Sequence, residues 1–128
     1  MTRDIITTDR APAAIGPYSQ AVKTQDLVFI SGQLPIDPQS GHLVTGDIRD
    51  QTRQAMQNLE AILAAAGSSL DHIVKTTLFI TDMDQFATIN DVYAEFFSGH
   101  PPARACVQVA RLPRDAGIEV EAVALSGQ

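Results

Sequence analysis

The feature that most constrains this chain is a change of hydrophobic period along it. From Ile48 to Ala66, apolar residues fall at Ile48, Ala55, Met56, Leu59, Ile62, Leu63 and Ala66. That is a 3.6-residue helical stripe, with Arg49, Asp50, Arg53, Gln57 and Glu60 on the opposite face. Asp47 stands at the N-cap, and Gly67 where a C′ glycine closes a helix. A second stripe runs from Met83 to Phe97, with Phe86, Ile89, Tyr93, Phe96 and Phe97 inward. Asp82 and Gln85 read as a capping box, and Gly99 before Pro101-Pro102 stops the segment. The rest of the pattern is that of strands. Leu27–Ser31 is an apolar run ending at Gly32, and His72–Thr81 is rich in β-branched residues. Ala103–Ala110 and Ile118–Leu125 flank the turn-like segment 111–117, a spacing that suggests a hairpin. Ile5–Thr8 and Ala21–Lys23 are weaker strand signals. The order strands, helix, strand, helix, strands predicts an α+β fold with both helices on one face of a mixed sheet. The other sheet face then carries apolar residues that need cover, which a homo-oligomer supplies.

Length and composition bound the function. The chain has 128 residues, 45% of them hydrophobic and 19% charged, as suits one globular domain spanning residues 1–128. The formal charge is −6 and the pI about 4.8, so a phosphate backbone is repelled and nucleic-acid binding is disfavoured. No apolar stretch reaches the roughly 20 residues that cross a bilayer, and Met1–Arg10 lacks the apolar core of a signal peptide. Cys106 is the single cysteine, which excludes an internal disulfide and points to a reducing, cytoplasmic setting. His42, His72 and His100 share no ligand spacing, and neither HExxH nor CxxC occurs, so no metal is expected. Without GxGxxG or GxxxxGK[ST] there is no standard nucleotide cradle, and without GxSxG no serine elbow. No cofactor is expected.

Four stretches carry chemistry. They are Gly16-Pro17-Tyr18-Ser19-Gln20-Ala21, Ser31-Gly32-Gln33-Leu34-Pro35, the middle segment Ile73–Phe79 with Phe86–Asn90, and Pro102–Pro113 leading to Ile118-Glu119-Val120-Glu121-Ala122. Arg104 interrupts an otherwise apolar strand, and two readings of it stand. One is an edge-strand arginine paired with a surface carboxylate. The other is a planar fork that grips a substrate carboxylate through two hydrogen bonds, a geometry lysine lacks. Strand alternation puts Arg104, Cys106 and Gln108 on one face, and Ala105, Val107 and Val109 on the other, which suits a packed core.

Together the stretches resemble the Rid (reactive intermediate deaminase) family over nearly the whole chain, and Arg104 places the resemblance in the RidA subgroup. The resemblance implies a chorismate-mutase-like fold, a homotrimer with clefts between subunits, and hydrolysis of 2-iminopropanoate and 2-iminobutanoate to 2-keto acids and ammonia. It implies that Arg104 binds the substrate carboxylate and that Glu119 activates or positions the attacking water. Imine hydrolysis needs a base to help water add and an acid to help ammonia leave, and a nearby carboxylate favours the protonated iminium.

The resemblance also implies that Tyr18 lines the cleft, where its hydroxyl can bond substrate or water; without it, Tyr18 is a ring packed beneath a loop. Gly32 lets a ligand approach the backbone, or is an ordinary strand-ending turn. Cys106 reads as a small buried hydrophobe whose carbonyl can orient the imine, and not as a nucleophile. Asn90 buttresses the cleft. Glu121, two residues past Glu119, reads as a solvated edge. Gln108 departs from the acidic residue of many RidA sequences. The competing class is a non-catalytic module that binds 2-keto acids, which needs Arg104 but has little use for a base at Glu119.

Overall fold

The computed structural model describes residues 3–127. Helix α1 (Ile48–Ala65) begins where Asp47 accepts from the backbone N–H groups of Arg49 and Asp50, at 3.0 and 3.2 Å. It ends at Ala66, whose carbonyl takes a 2.8 Å hydrogen bond from Lys23 Nζ, and Gly67 follows with φ +78°. The anticipated stripe is buried, Ala55, Met56, Leu59, Ile62 and Leu63 completely. Two polar residues join it. Thr52 donates to the Ile48 carbonyl at 2.7 Å. Asn58 Nδ2 donates to the carbonyls of Leu34 and Ile36 at 3.0 and 2.9 Å.

The second helix is shorter than its stripe. A single 3₁₀ turn, Met83–Gln85, precedes α2 (Phe86–Ala94), and i→i−3 bonds continue through Phe97. Asp82 accepts from the Asp84 N–H at 2.9 Å, but no reciprocal bond from the Gln85 side chain closes the box. Val92, outside the anticipated stripe, is fully buried.

The strands are β1 (Asp4–Ile6), β2 (Ala21–Lys23), β3 (Leu27–Gln33), β4 (Ile73–Ile80), β5 (Ala103–Gln108) and β6 (Ile118–Leu125). They form one mixed sheet in the order β1-β2-β3-β6-β4-β5. Strand β5 runs parallel to β4, and α2 is the crossover between them. The expected β5–β6 hairpin does not form. Strand β6 instead lies between β3 and β4, antiparallel to both. The residues explain the choice. Ile118, Val120, Ala122 and Ala124 are buried, as a central strand requires, whereas β5 has no residue buried enough for that place.

Both helices cover one face of the sheet, sealing Val28, Ile30, Leu78, Ile80 and the buried side of β6. The other face is open and leaves Phe29, Val107 and Leu125 nearly half exposed. This corrects the face assigned to Ala105 and Val107. Register pairs Thr76 with Arg104 and Leu78 with Cys106, so Arg104 and Cys106 lie on the helix side. Ala105 and Val107 point to the open side, and Val109 falls beyond the strand. Among the described residues, no helix is long and apolar enough to cross a membrane.

Truncating a fully buried α1 residue should cost far more than removing its cap. Leu59→Ala is expected to lose about 2–5 kcal/mol and Asp47→Ala about 1 kcal/mol, measured by urea unfolding at fixed protein concentration. Equal losses would mean that this face of α1 is not core.

Candidate active site

Arg104 occupies the edge strand β5 and reaches across the helix side of the sheet to α2. Its Nη1 donates to Asn90 Oδ1 at 2.7 Å. Its guanidinium carbon lies 5.0 Å from the centre of the Tyr93 ring and 5.4 Å from that of Phe86. Both are cation–π distances. The spacing explains the convergence: Phe86, Asn90 and Tyr93 are separated by four and three residues and share one side of α2. Tyr93 is itself fixed, since its hydroxyl meets Thr76 Oγ1 at 2.8 Å in the buried core. Burial pushes the Tyr93 hydroxyl above its ordinary pKa, against the Thr76 hydrogen bond and the charge of Arg104.

Among the described residues, no carboxylate lies within ion-pair distance of Arg104, so the edge-strand ion pair is not the arrangement seen. Aromatic rings and a neutral amide orient the fork without neutralising it. A groove of about 440 Å³, walled by Phe97 and Pro102 among others, opens beside it. Cys106 is on the same side of β5, and burial raises its thiol pKa despite the nearby Arg104. Such a thiol stays protonated at neutral pH, in keeping with a non-nucleophilic role. Gln108 accepts from the Met83 N–H at 2.7 Å, tying the end of β5 to the turn that starts α2.

Glu119 belongs to the other side of the sheet. Register pairs it with Phe79, and Glu121 with Thr77, both on the open face. The half-buried Glu119 carboxylate lies over Gly32, where a Cβ would collide with it. A side chain at position 32 would therefore displace the Glu119 carboxylate, and Gly32 sits within β3 rather than at a strand-ending turn. Burial raises the Glu119 pKa, and the charge of Glu121 raises it further. Glu121 is exposed, but β6 is a central strand, so this is no sheet edge.

Tyr18, 51% exposed, stands in the loop between β1 and β2, where its N–H bonds the Gly16 carbonyl at 2.9 Å. Gly16 has φ +119°, a conformation that favours glycine. Tyr18, Gly32, Glu119 and Glu121 line one cleft of about 670 Å³, with Ile15, Leu34 and Ile36 as apolar wall.

The structure therefore brings the anticipated residues together as two groups, Arg104–Asn90–Cys106 and Tyr18–Gly32–Glu119, on opposite faces of one sheet. Within one chain they do not converge. Sequence reasoning missed Tyr93 and Phe86 as the seat of Arg104, although the α2 spacing carried that signal. It also missed Arg114, which lines the Glu119 cleft and bonds the Gly41 carbonyl at 2.9 Å. Arg114 and Asp115 adopt φ of +60° and +58°, a left-handed turn with no glycine to announce it. Among the described residues, no group of three or more His, Cys, Asp or Glu is placed to hold a metal ion.

Comparison with known proteins shows the family and the fold. The family model described as Endoribonuclease L-PSP matches residues 8–126. The chain is 50% identical over 125 residues to the 2-iminobutanoate/2-iminopropanoate deaminase of Mus musculus, covering 98% of this chain and 93% of the relative. A crystal structure of Escherichia coli TdcF with bound serine superposes with a TM-score of 0.92 at 51% identity, over 95% of this chain and 98% of that one. YyfA from Yersinia pestis, of the conserved Rid protein family, gives a TM-score of 0.95 at 46% identity, over 97% and 99%.

The raised Glu119 pKa has a definite sign for stability. The protonated form favours the folded state, so this contribution is complete below the ordinary glutamate pKa of about 4.3 and is lost as pH rises through the raised value. Glu119→Gln should therefore melt higher than the wild type at neutral pH and match it near pH about 3. Thermal melts across that range check this, and a variant melting lower at neutral pH would contradict it.

Proposed function

The chain belongs to the Rid (endoribonuclease L-PSP) family, and on that premise we propose that it is a hydrolase acting on C–N bonds, which converts 2-imino acids to 2-keto acids and ammonia. The observation that carries the reading is the combination of an arginine fork with no carboxylate partner among the described residues and a half-buried glutamate of raised pKa. The first is what a substrate carboxylate needs. The second is a base tuned toward neutral pH. A module that only binds 2-keto acids would use the fork and gain nothing from the raised carboxylate.

In this reading the substrate carboxylate pairs with Arg104, which Asn90 and the rings of Phe86 and Tyr93 hold in orientation. The Cys106 carbonyl accepts from the imine N–H. Glu119 takes a proton from water as the oxygen attacks C2, and the C=N π electrons move to nitrogen. With the imine protonated at the outset, Glu119 then returns the proton to the amine nitrogen and takes the hydroxyl proton as the C2=O bond forms and the C–N bond breaks. Ammonia thus leaves a 2-keto acid, and the last proton on Glu119 is the one the iminium brought. The balance is one imino acid and one water in, one keto acid and one ammonia out. Tyr18 hydrogen-bonds the water or the substrate, and Gly32 admits both to the carboxylate. The apolar wall of Ile15, Leu34 and Ile36 suits the small aliphatic chains of 2-iminopropanoate and 2-iminobutanoate.

Because the two groups occupy opposite faces, a substrate touching both is held between subunits. A homotrimer gives each cleft the Arg104 group of one subunit and the Glu119 group of the next, and covers the open face that carries Phe29, Val107 and Leu125. The charge of −6 opposes a phosphate backbone, and in the cleft Glu119 and Glu121 outnumber Arg114, which favours the small-molecule reading over RNA cleavage. The single cysteine supports a cytoplasmic setting.

Ammonia and keto-acid release from enzymatically generated 2-aminoacrylate and 2-aminocrotonate tests the reading. Each charge-assisted hydrogen bond is worth about 1.5–3 kcal/mol, so Arg104→Ala should lower kcat/KM on the order of 100-fold or more while circular dichroism stays native. Glu119→Gln should lower kcat by about 100- to 10,000-fold yet still bind 2-oxobutanoate. Wild-type protein that binds 2-oxobutanoate but releases no product faster than the spontaneous rate would make it a binding module.

A further inference from the structure

The loop between β1 and β2 supplies Tyr18 and Ile15 to the Glu119 cleft, yet it has little that ties it to the sheet. Gln20, at the start of β2, is 3% exposed and uses its carboxamide fully. Its Oε1 accepts from the Thr8 N–H at 2.7 Å. Its Nε2 donates to the carbonyls of Thr8 at 3.0 Å, Pro12 at 2.7 Å and, more weakly, Ala11 at 3.4 Å. One side chain therefore closes both ends of the loop on each other. A second tie comes from β3, where Ser31 Oγ donates to the Ser19 carbonyl at 2.6 Å and the Ser31 N–H to the Gln20 carbonyl at 3.0 Å. The buried Ala11 is the loop's apolar anchor. Among the described residues, the other hydrogen bonds of residues 9–19 are local, Arg10 to Thr8 and Tyr18 to Gly16.

We infer that the Gln20 carboxamide, backed by the Ser31 hydroxyl, is a clasp that positions Tyr18 over the Glu119 cleft. The inference rests on the deaminase reading for its catalytic consequence only. Gln20 touches no reacting atom in this role; it acts through Tyr18 and is a positioning residue. A carboxamide is required because the clasp needs one acceptor and two donated hydrogens from one group. Glutamate has nearly the same shape and keeps the Thr8 acceptor, but it faces the Thr8, Ala11 and Pro12 carbonyls with lone pairs.

The chain has two tyrosines and no tryptophan, so 3-fluorotyrosine labelling gives two fluorine resonances, assigned with Tyr18→Phe. The buried Tyr93 reports the core, and Tyr18 reports the loop. In Gln20→Glu the Tyr18 resonance should shift or broaden while that of Tyr93 stays in place. Misplacement of a reacting group by about 1 Å costs up to roughly 100-fold, so kcat/KM should fall between about 10- and 100-fold. In a double-mutant cycle the loss should be largely absent in a Tyr18→Phe background. An unmoved Tyr18 resonance, or losses that simply add to those of Tyr18→Phe, would overturn the inference. Should Gln20→Glu not fold, Ser31→Ala removes the backing tie and is read by the same resonances and cycle. The fluorine measurement needs no substrate, so a protein without deaminase activity leaves it intact and separates the two failures.

Discussion

Alternation of side chains across the three strands β5, β4 and β6 governs what this molecule can do. Register sets Arg104 beside Thr76 and Ala122 on the helix side, and Glu119 beside Phe79 and Val107 on the open side. A one-residue slip in either pairing would carry one group to the opposite face. Burial fixes the register. Leu78, Val120 and Ala122 must stay under the helices, and Arg104 and Glu119 follow from the same pairings. The core thus sets the geometry of two half-sites that face away from each other.

What the sequence revealed follows how local each signal is. Helix α1 was legible to within a residue because its stripe, its Asp47 cap and its Gly67 terminator are all neighbours in the chain. Strand β6 was legible for the same reason. The partner of β6 was not, since pairing with β3 and β4 depends on residues 38 to 98 positions away, outside any local pattern. The same blindness misassigned the face of Ala105 and Val107. A run of alanine and valine alternating with Arg104 and Cys106 looks like core opposite solvent. At an edge strand beneath a helix, the arginine faces inward and the valine outward. Of the candidate site residues only Arg104 broke its surroundings, as an arginine in an apolar strand; Glu119, Tyr18 and Gly32 stood out through the family resemblance, and Gly32, read as the end of a strand, lies within β3.

Three of the buried polar residues, Asn58, Gln20 and Thr76, hold the surroundings of the two groups. Among the described residues, every buried side-chain nitrogen and oxygen has a hydrogen-bond partner. Asn58 reaches from α1 to hold the Leu34–Ile36 wall. Gln20 closes the loop that bears Tyr18. Thr76 holds the Tyr93 hydroxyl and so the ring that seats Arg104. A leucine at any of these places would pack as well, but would leave backbone carbonyls or a phenol without a partner. Period analysis passes over such residues because they interrupt or dilute an apolar stripe.

Electrostatics makes the two groups complementary. A guanidinium seated on aromatic rings without a carboxylate and a half-buried carboxylate pushed up by burial and by Glu121 are both unsatisfied alone. Direct pairing of the two would neutralise each and remove the function of both. In the proposed reading a small imino acid resolves this differently, because its carboxylate answers the arginine while its iminium nitrogen faces the glutamate. Both charges then belong to one short ligand, and neither protein group needs to touch the other. In the proposed reading the separation of Arg104 and Glu119 across one sheet keeps two complementary charges apart until a substrate of matching polarity lies between them.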